Sequence, residues 1–182
     1  MGDYYFDIET TELNPYEHII LTIQLKIGDD IILWKLWEEE NEVSMILKFM
    51  KYLKEVSYND TIYGYNCLKF DVPFIWARLN IHGIMDSEKY RILYEKKWKD
   101  LYQYLGGNYI PIDKWLHLFR IERQCPFTGR DIPSLYQDKR FKEIEHHAKD
   151  DLIVCEKLVE KLNDNKELPL INSFPPISIT SH

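Results

Sequence analysis

Apolar and polar positions recur along this chain with two periods, and the periods predict its elements. Tyr4 to Ile8 is an apolar run that reads as a first strand. Asn14-Pro15 marks a turn, after which Ile19 to Ile27 predicts a second strand. Gly28-Asp29-Asp30 then makes a hairpin into a third strand, Ile31 to Trp37. Met45, Ile46, Phe49, Met50 and Leu53 follow helical spacing, so an amphipathic helix is expected over Val43 to Val56. The acidic run Glu38 to Glu42 before it reads as a solvated helix start. Thr61 to Tyr65 is a short apolar strand, and a helix carries Phe74 to Leu79, with Pro73 in its first turn. Tyr90 to Trp98 reads as a fifth strand ending at Lys99-Asp100-Leu101. After the Gly106-Gly107-Asn108 break come a helix over Lys114 to Arg123, a basic Pro- and Gly-punctuated loop, and a long helix from Phe141 to Leu162. The order is that of an α/β protein with a mixed, mostly five-stranded sheet flanked by helices. Residues 1–162 form the expected domain; residues 163–182, with three prolines and no periodicity, form a C-terminal tail.

Composition narrows the class without naming it. At 182 residues, 45% of them hydrophobic, the chain suits one domain with a sizeable core. A net charge of −7 argues against a broad basic surface that grips duplex DNA through its phosphates. Cys67, Cys125 and Cys155 are scattered and odd in number, which disfavours a disulfide framework or a structural zinc site and fits a reducing cytoplasm. Asp3, Asp7 and Glu9 interrupt any secretory apolar run, and no stretch approaches the ~18 uncharged apolar residues of a membrane span.

The candidate chemistry lies in four places. Asp7 and Glu9 are two apart on the first strand, so both carboxylates leave the same face. Two adjacent like charges are costly, and a divalent cation with hard oxygen ligands relieves them. Asp71 stands where a strand gives way to a helix, a position that taken locally favours an ordinary N-terminal cap. On the last helix, His147 and Asp151 are four apart and share a face, as do His146 and Asp150 one step round. The bland alternative for that helix is a solvated, salt-bridged surface.

Taken in order, FDIETT, GYNCLKFDVPF, KDLYQYL and HHAKDDL resemble the DEDD exonuclease superfamily on the ribonuclease-H-like fold. GRDIPSLY is similar to the YprB-type subgroup, and the GYN…FDVPF block resembles the proofreading domain of family B DNA polymerases. The resemblance implies Asp7, Glu9, Asp71 and Asp151 as ligands of two divalent ions, Mg²⁺ or Mn²⁺, roughly 3.5–4 Å apart. It also implies a histidine general base. One branch of the superfamily spaces the base five residues before the last Asp with an Ala two after it, which fits His146-x-Ala148-x-x-Asp151. Other branches use a spacing of four, which points to His147; Ala148 tips the choice towards His146. Asp150 is expected to support rather than to ligate, and Asp100 to cap. Ile8 and Thr10 are expected to hold a terminal nucleotide, Asn66 and Phe70 to orient the strand or stack a base, with a place in the core suiting Phe70 at least as well.

The activity so implied is 3′–5′ exonucleolytic hydrolysis of single-stranded nucleic acid, DNA favoured, to nucleoside 5′-monophosphates. Trimming of RNA 3′ ends and a non-catalytic nucleic-acid-binding module are the alternatives on the same fold. The small acidic surface further suggests self-association, with a groove built between subunits.

Overall fold

A computed structural model describes residues 2–106 and 110–164. Among these residues five strands form one mixed sheet: β1 (Asp3–Thr10), β2 (Ile20–Ile27), β3 (Asp30–Lys35), β4 (Thr61–Gly64) and β5 (Lys97–Asp100). Their spatial order is β3-β2-β1-β4-β5, antiparallel through the β1-β2-β3 meander and parallel across β1, β4 and β5. β1 is therefore the central strand. A parallel neighbour needs a crossover, and α1 (Glu42–Glu55) provides it between β3 and β4. The side chain of Asn41 accepts from Ser44 N at 2.9 Å and starts that helix. The α1 stripe of Met45, Ile46, Phe49, Met50 and Leu53 is buried, as its spacing predicts.

Strand periodicity divides β1 between two layers. Tyr4, Phe6 and Ile8 enter the core formed with α1, α2 (Asp71–Ile81) and α3 (Ser87–Tyr94). Tyr5 enters the opposite core, built on the last helix, α7 (Phe141–Asp164), and on α4 (Leu101–Tyr104) and α5 (Ile112–Leu118). Asp7 and Glu9 continue the Tyr5 side and so face α7.

Three expectations need correction. The strand expected over Tyr90 to Trp98 is α3 followed by β5. Asp86 caps α3 by accepting from Lys89 N at 2.8 Å, and the Tyr90 and Tyr94 rings, one turn apart, lie 4.8 Å from each other. Second, the Lys114 to Arg123 helix ends at Leu118, and Arg120 turns the chain with a φ of 55°. A further short helix, α6 (Ile132–Gln137), precedes α7. Third, the acidic run before α1 is not all solvated. Glu42 is buried, accepts from Ile20 N at 2.8 Å, and pairs with Arg78 Nη2 at 2.7 Å and His82 Nε2 at 2.8 Å. Arg78 also donates to Pro15 O at 2.9 Å, tying the loop after β1 to α1 and α2. The Gly107-Asn108 part of the break and the tail from residue 165 lie outside the described residues.

Candidate active site

The C-terminal half of β1 carries the first two acids. Asp7 is opposite Gln24 of β2 and Glu9 is opposite Thr22. Thr22 Oγ1 donates to Gln24 Oε1 at 2.8 Å, which orients the amide so that Gln24 Nε2 donates to Asp7 Oδ2 at 2.7 Å. A buried two-residue polar stripe on β2 thus fixes one Asp7 oxygen. Just beyond Glu9 the β1–β2 register shifts, and the chain turns away with Thr10 Oγ1 donating to Glu12 O at 2.7 Å.

Asp71 arrives by a different route. β4 ends at Gly64, and Asn66 takes a left-handed backbone, φ 62°. Asp100, at the end of β5, holds this loop: its Oδ1 accepts from Asn66 N at 2.8 Å and its Oδ2 from Leu68 N at 3.1 Å. The same carboxylate caps α4 by accepting from Tyr102 N at 3.0 Å. The loop delivers Asp71 to the first turn of α2 as its first helical residue, one past the cap position of Phe70. Its carboxylate points across to β1, where Oδ1 accepts from Ile8 N at 3.1 Å. Asp71 is therefore no N-terminal cap, and the Ile8 N–H is committed to it rather than open to a nucleotide.

The last contribution comes from α7, whose inner face packs on β1 and β2 through Leu152, Val154, Cys155, Leu158 and Val159. That docking turns His147 inward, 3% exposed, with Nε2 at 3.6 Å from both Glu9 Oε1 and Asp151 Oδ2. His146, one residue earlier, points out and is exposed. The preference for His146 fails on this geometry, because a one-residue step on a helix rotates the side chain by about 100°. Asp150 is also buried, and its Oδ1 accepts from Gln124 N at 3.0 Å.

These side chains line one open cleft of about 280 Å³. Its lining includes the polar side chains of Asp7, Glu9, Asp71, His147 and Asp151 and the apolar ones of Leu13, Tyr65, Phe70 and Ile112. Phe70 is half-buried, 5.5 Å ring to ring from Phe74. Asn66 serves the loop rather than the cleft lining.

Gathering the acids has an electrostatic cost. Burial, then Asp71 and Asp151, push the Asp7 carboxyl well above the ordinary range, against the opposing pull of Gln24 and Arg123. Burial, then Asp7, also pushes Glu9 up. Asp71 is raised to about 7, chiefly by burial, although backbone N–H groups including that of Ile8 lower it.

One cation went unassigned by the sequence patterns. Arg123 Nη1 pairs with Asp151 Oδ1 and lies 3.6 Å from Asp150 Oδ2, while Nε donates to Asp113 Oδ1 at 2.7 Å. The sequence shows it only as part of a basic stretch, and Gln24 only as a polar residue in an apolar strand.

The donor set fits divalent cations. Carboxylate oxygens of Glu9 and Asp151 lie within 4.8 Å of each other and of a ring nitrogen of His147. Glu9 Oε1 is buried without a hydrogen-bond partner among the described residues, and the remaining donors are carboxylate oxygens.

A mixed sheet in this order, with acids on its central strand, at the start of a flanking helix and on the last helix, defines the ribonuclease-H-like class. Comparison with known proteins agrees. Residues 6–113 match the family described as DNA polymerase family B, exonuclease domain. The fold superposes on a family B DNA polymerase from the hyperthermophilic archaeon Pyrobaculum calidifontis, with a TM-score of 0.73 and 19% identity over 90% of this chain and 24% of the polymerase. An uncharacterized protein of Methanocaldococcus jannaschii is 34% identical over 131 residues, which is 70% of this chain and 66% of that protein. The chain belongs to the family B polymerase exonuclease-domain family, and through it to the DEDD 3′–5′ exonuclease superfamily. The match contains Asp7, Glu9 and Asp71 but ends before GRDIPSLY, His147 and Asp151. Among the described residues no helix is long and apolar enough to cross a membrane.

Proposed function

We propose that this chain is a metal-dependent 3′–5′ exonuclease that shortens single-stranded nucleic acid, DNA favoured, to nucleoside 5′-monophosphates. The observation that carries this reading is the convergence of Asp7, Glu9, Asp71, His147 and Asp151, from three distant segments, around one cleft. Asp7, Glu9, Asp71 and Asp151 would hold two divalent ions, Mg²⁺ or Mn²⁺. When bound, such ions supply charge for the attacking and leaving oxygens of an in-line displacement and make water more acidic.

The protein's own contributions follow from its geometry. Gln24 holds Asp7, and the Ile8 N–H holds Asp71, so both carboxylates are oriented before substrate arrives. His147 takes the proton of the attacking water, because its Nε2 lies 3.6 Å from both Glu9 Oε1 and Asp151 Oδ2, beside the acids that would hold the cations. Phe70 and Tyr65 offer ring faces to the terminal bases, with apolar Leu13 beside them, which suits an unpaired strand end.

The test uses 5′-end-labelled single-stranded DNA and RNA and the matching duplexes, with Mg²⁺ or Mn²⁺. The expected result is a ladder shortening from the 3′ end of single strands, absent with EDTA and absent in Asp7→Asn. Cleavage that survives Asp7→Asn, or binding without cleavage, overturns the reading. The second outcome would leave a nucleic-acid-binding module.

A further inference from the structure

Arg123 is the one Lys or Arg among the described residues that line the cleft. Its placement is built rather than incidental. Ile121 is buried and its N–H donates to Leu116 O at 2.8 Å, fixing the chain after α5. Buried Asp150 then holds the next residue but two, through Gln124 N. Between these two anchors Arg123 is directed at Asp151 and Asp113, with 19% of its side chain exposed. A planar guanidinium presents five donors, so one edge can serve a carboxylate while another remains for a second planar or tetrahedral anion. Asp113 is 60% exposed, and a surface partner of that kind contributes little. The partners that matter are buried Asp150, whose Oδ2 lies 3.6 Å from Nη1, and Asp151, which is also a candidate ligand for the metals.

We propose that Arg123 is a substrate-phosphate ligand, held on Asp151 in the metal-free protein and released toward the phosphate of the terminal nucleotide when cations occupy Asp151. The inference rests on the exonuclease reading for the presence of the cations. It assigns Arg123 two opposed effects. The guanidinium competes with metal for Asp151, so its loss should leave metal binding intact or tighter. It also attracts phosphate into a cleft whose other charged lining residues are acids, so its loss should weaken phosphate-bearing ligands selectively.

Two calorimetric titrations on the full chain separate these effects, using wild type, Arg123→Gln and Arg123→Lys. The first measures Mn²⁺ alone. The second measures thymidine 5′-monophosphate, then thymidine, in saturating Mn²⁺. For Arg123→Gln, Mn²⁺ affinity is expected to be equal or up to about tenfold tighter, and the monophosphate at least about tenfold weaker, with thymidine unchanged. Arg123→Lys should recover part of the monophosphate affinity. Monophosphate binding unchanged in folded Arg123→Gln overturns the phosphate role, and Mn²⁺ binding weakened tenfold overturns the competition. A wild type that binds no Mn²⁺ overturns the exonuclease reading itself, which distinguishes the two failures. If Arg123→Gln does not fold, Arg123→Lys carries the test: monophosphate affinity equal to wild type, with Mn²⁺ affinity unchanged, overturns the proposal.

Discussion

Neutralising one acid of the cluster should stabilise the metal-free protein, and Asp71→Asn is the cleanest perturbation. Asp71 is 2% exposed, and an Asn can still accept from Ile8 N through its own Oδ1. A carboxyl raised from 3.8 to about 7 is costly to ionise within the fold. At 1.36 kcal/mol per pH unit, full ionisation costs about 4 kcal/mol, and sharing of protons with Asp7 and Glu9, whose carboxyls are also raised, makes about 2–4 kcal/mol the expected range. The sign follows from the raised value. The protonated form stabilises the fold fully below pH 3.8, and that stabilisation is lost as pH rises through about 7. Wild type and Asp71→Asn should therefore differ by about 1 kcal/mol or less at pH 4.5 and by the full amount at pH 8. For a chain of this size each kcal/mol moves Tm by about 2–4 °C. Circular-dichroism melts in EDTA should then place Asp71→Asn about 4–16 °C above wild type at pH 8. Mn²⁺ should close or reverse the gap, because wild type gains from the cation and the variant gains less. An Asp71→Asn variant that melts at or below wild type at pH 8 in EDTA would refute the reasoning.

Other outcomes follow from the same geometry. His147→Ala should lower kcat by about 10²–10⁴ with Mn²⁺ binding retained, whereas His146→Ala stays within about twofold; equal losses in single-turnover assays would contradict the orientation of α7. Glu42→Gln leaves Arg78 buried without its counter-ion and should cost about 3–5 kcal/mol in denaturant melts. A Cβ at Gly64 would stand 2.6 Å from Cys67 Cβ and 3.1 Å from Phe6 O, so Gly64→Ala should cost about 1–3 kcal/mol, and an unchanged midpoint would deny that crowding.

What was legible in the sequence was mainly local. The two-residue step from Asp7 to Glu9 fixes a shared face wherever a strand forms, and the α1 stripe fixes its own buried side. Asp71 was legible by its place between an apolar strand and a helix, although its partner, the Ile8 N–H, is 63 residues away in sequence. α3 was misread because Tyr90, Ile92 and Tyr94 alternate like a strand; the deciding signal was Asp86, a capping residue three before Lys89. The choice between His146 and His147 needed the helix's rotation about its axis, which the apolar residues Ala148, Leu152 and Cys155 already encode as one face. Gln24 and Arg123 were invisible as site residues because each acts across strands or loops, and no local pattern records such a pairing.

The order in which the acids appear along the chain has a consequence for how this protein comes into being. Asp7 and Glu9 are made first, Asp71 midway, and Asp151 on the last described element, α7. The cluster is complete only when α7 seats on the β1 side of the sheet and brings Asp151 to the other acids. That final step joins segments more than a hundred residues apart, a slow and entropically expensive closure. Assembly of the centre is thereby coupled to completion of the domain, and a nascent chain halted before α7 carries no assembled cleft near the message it is being read from.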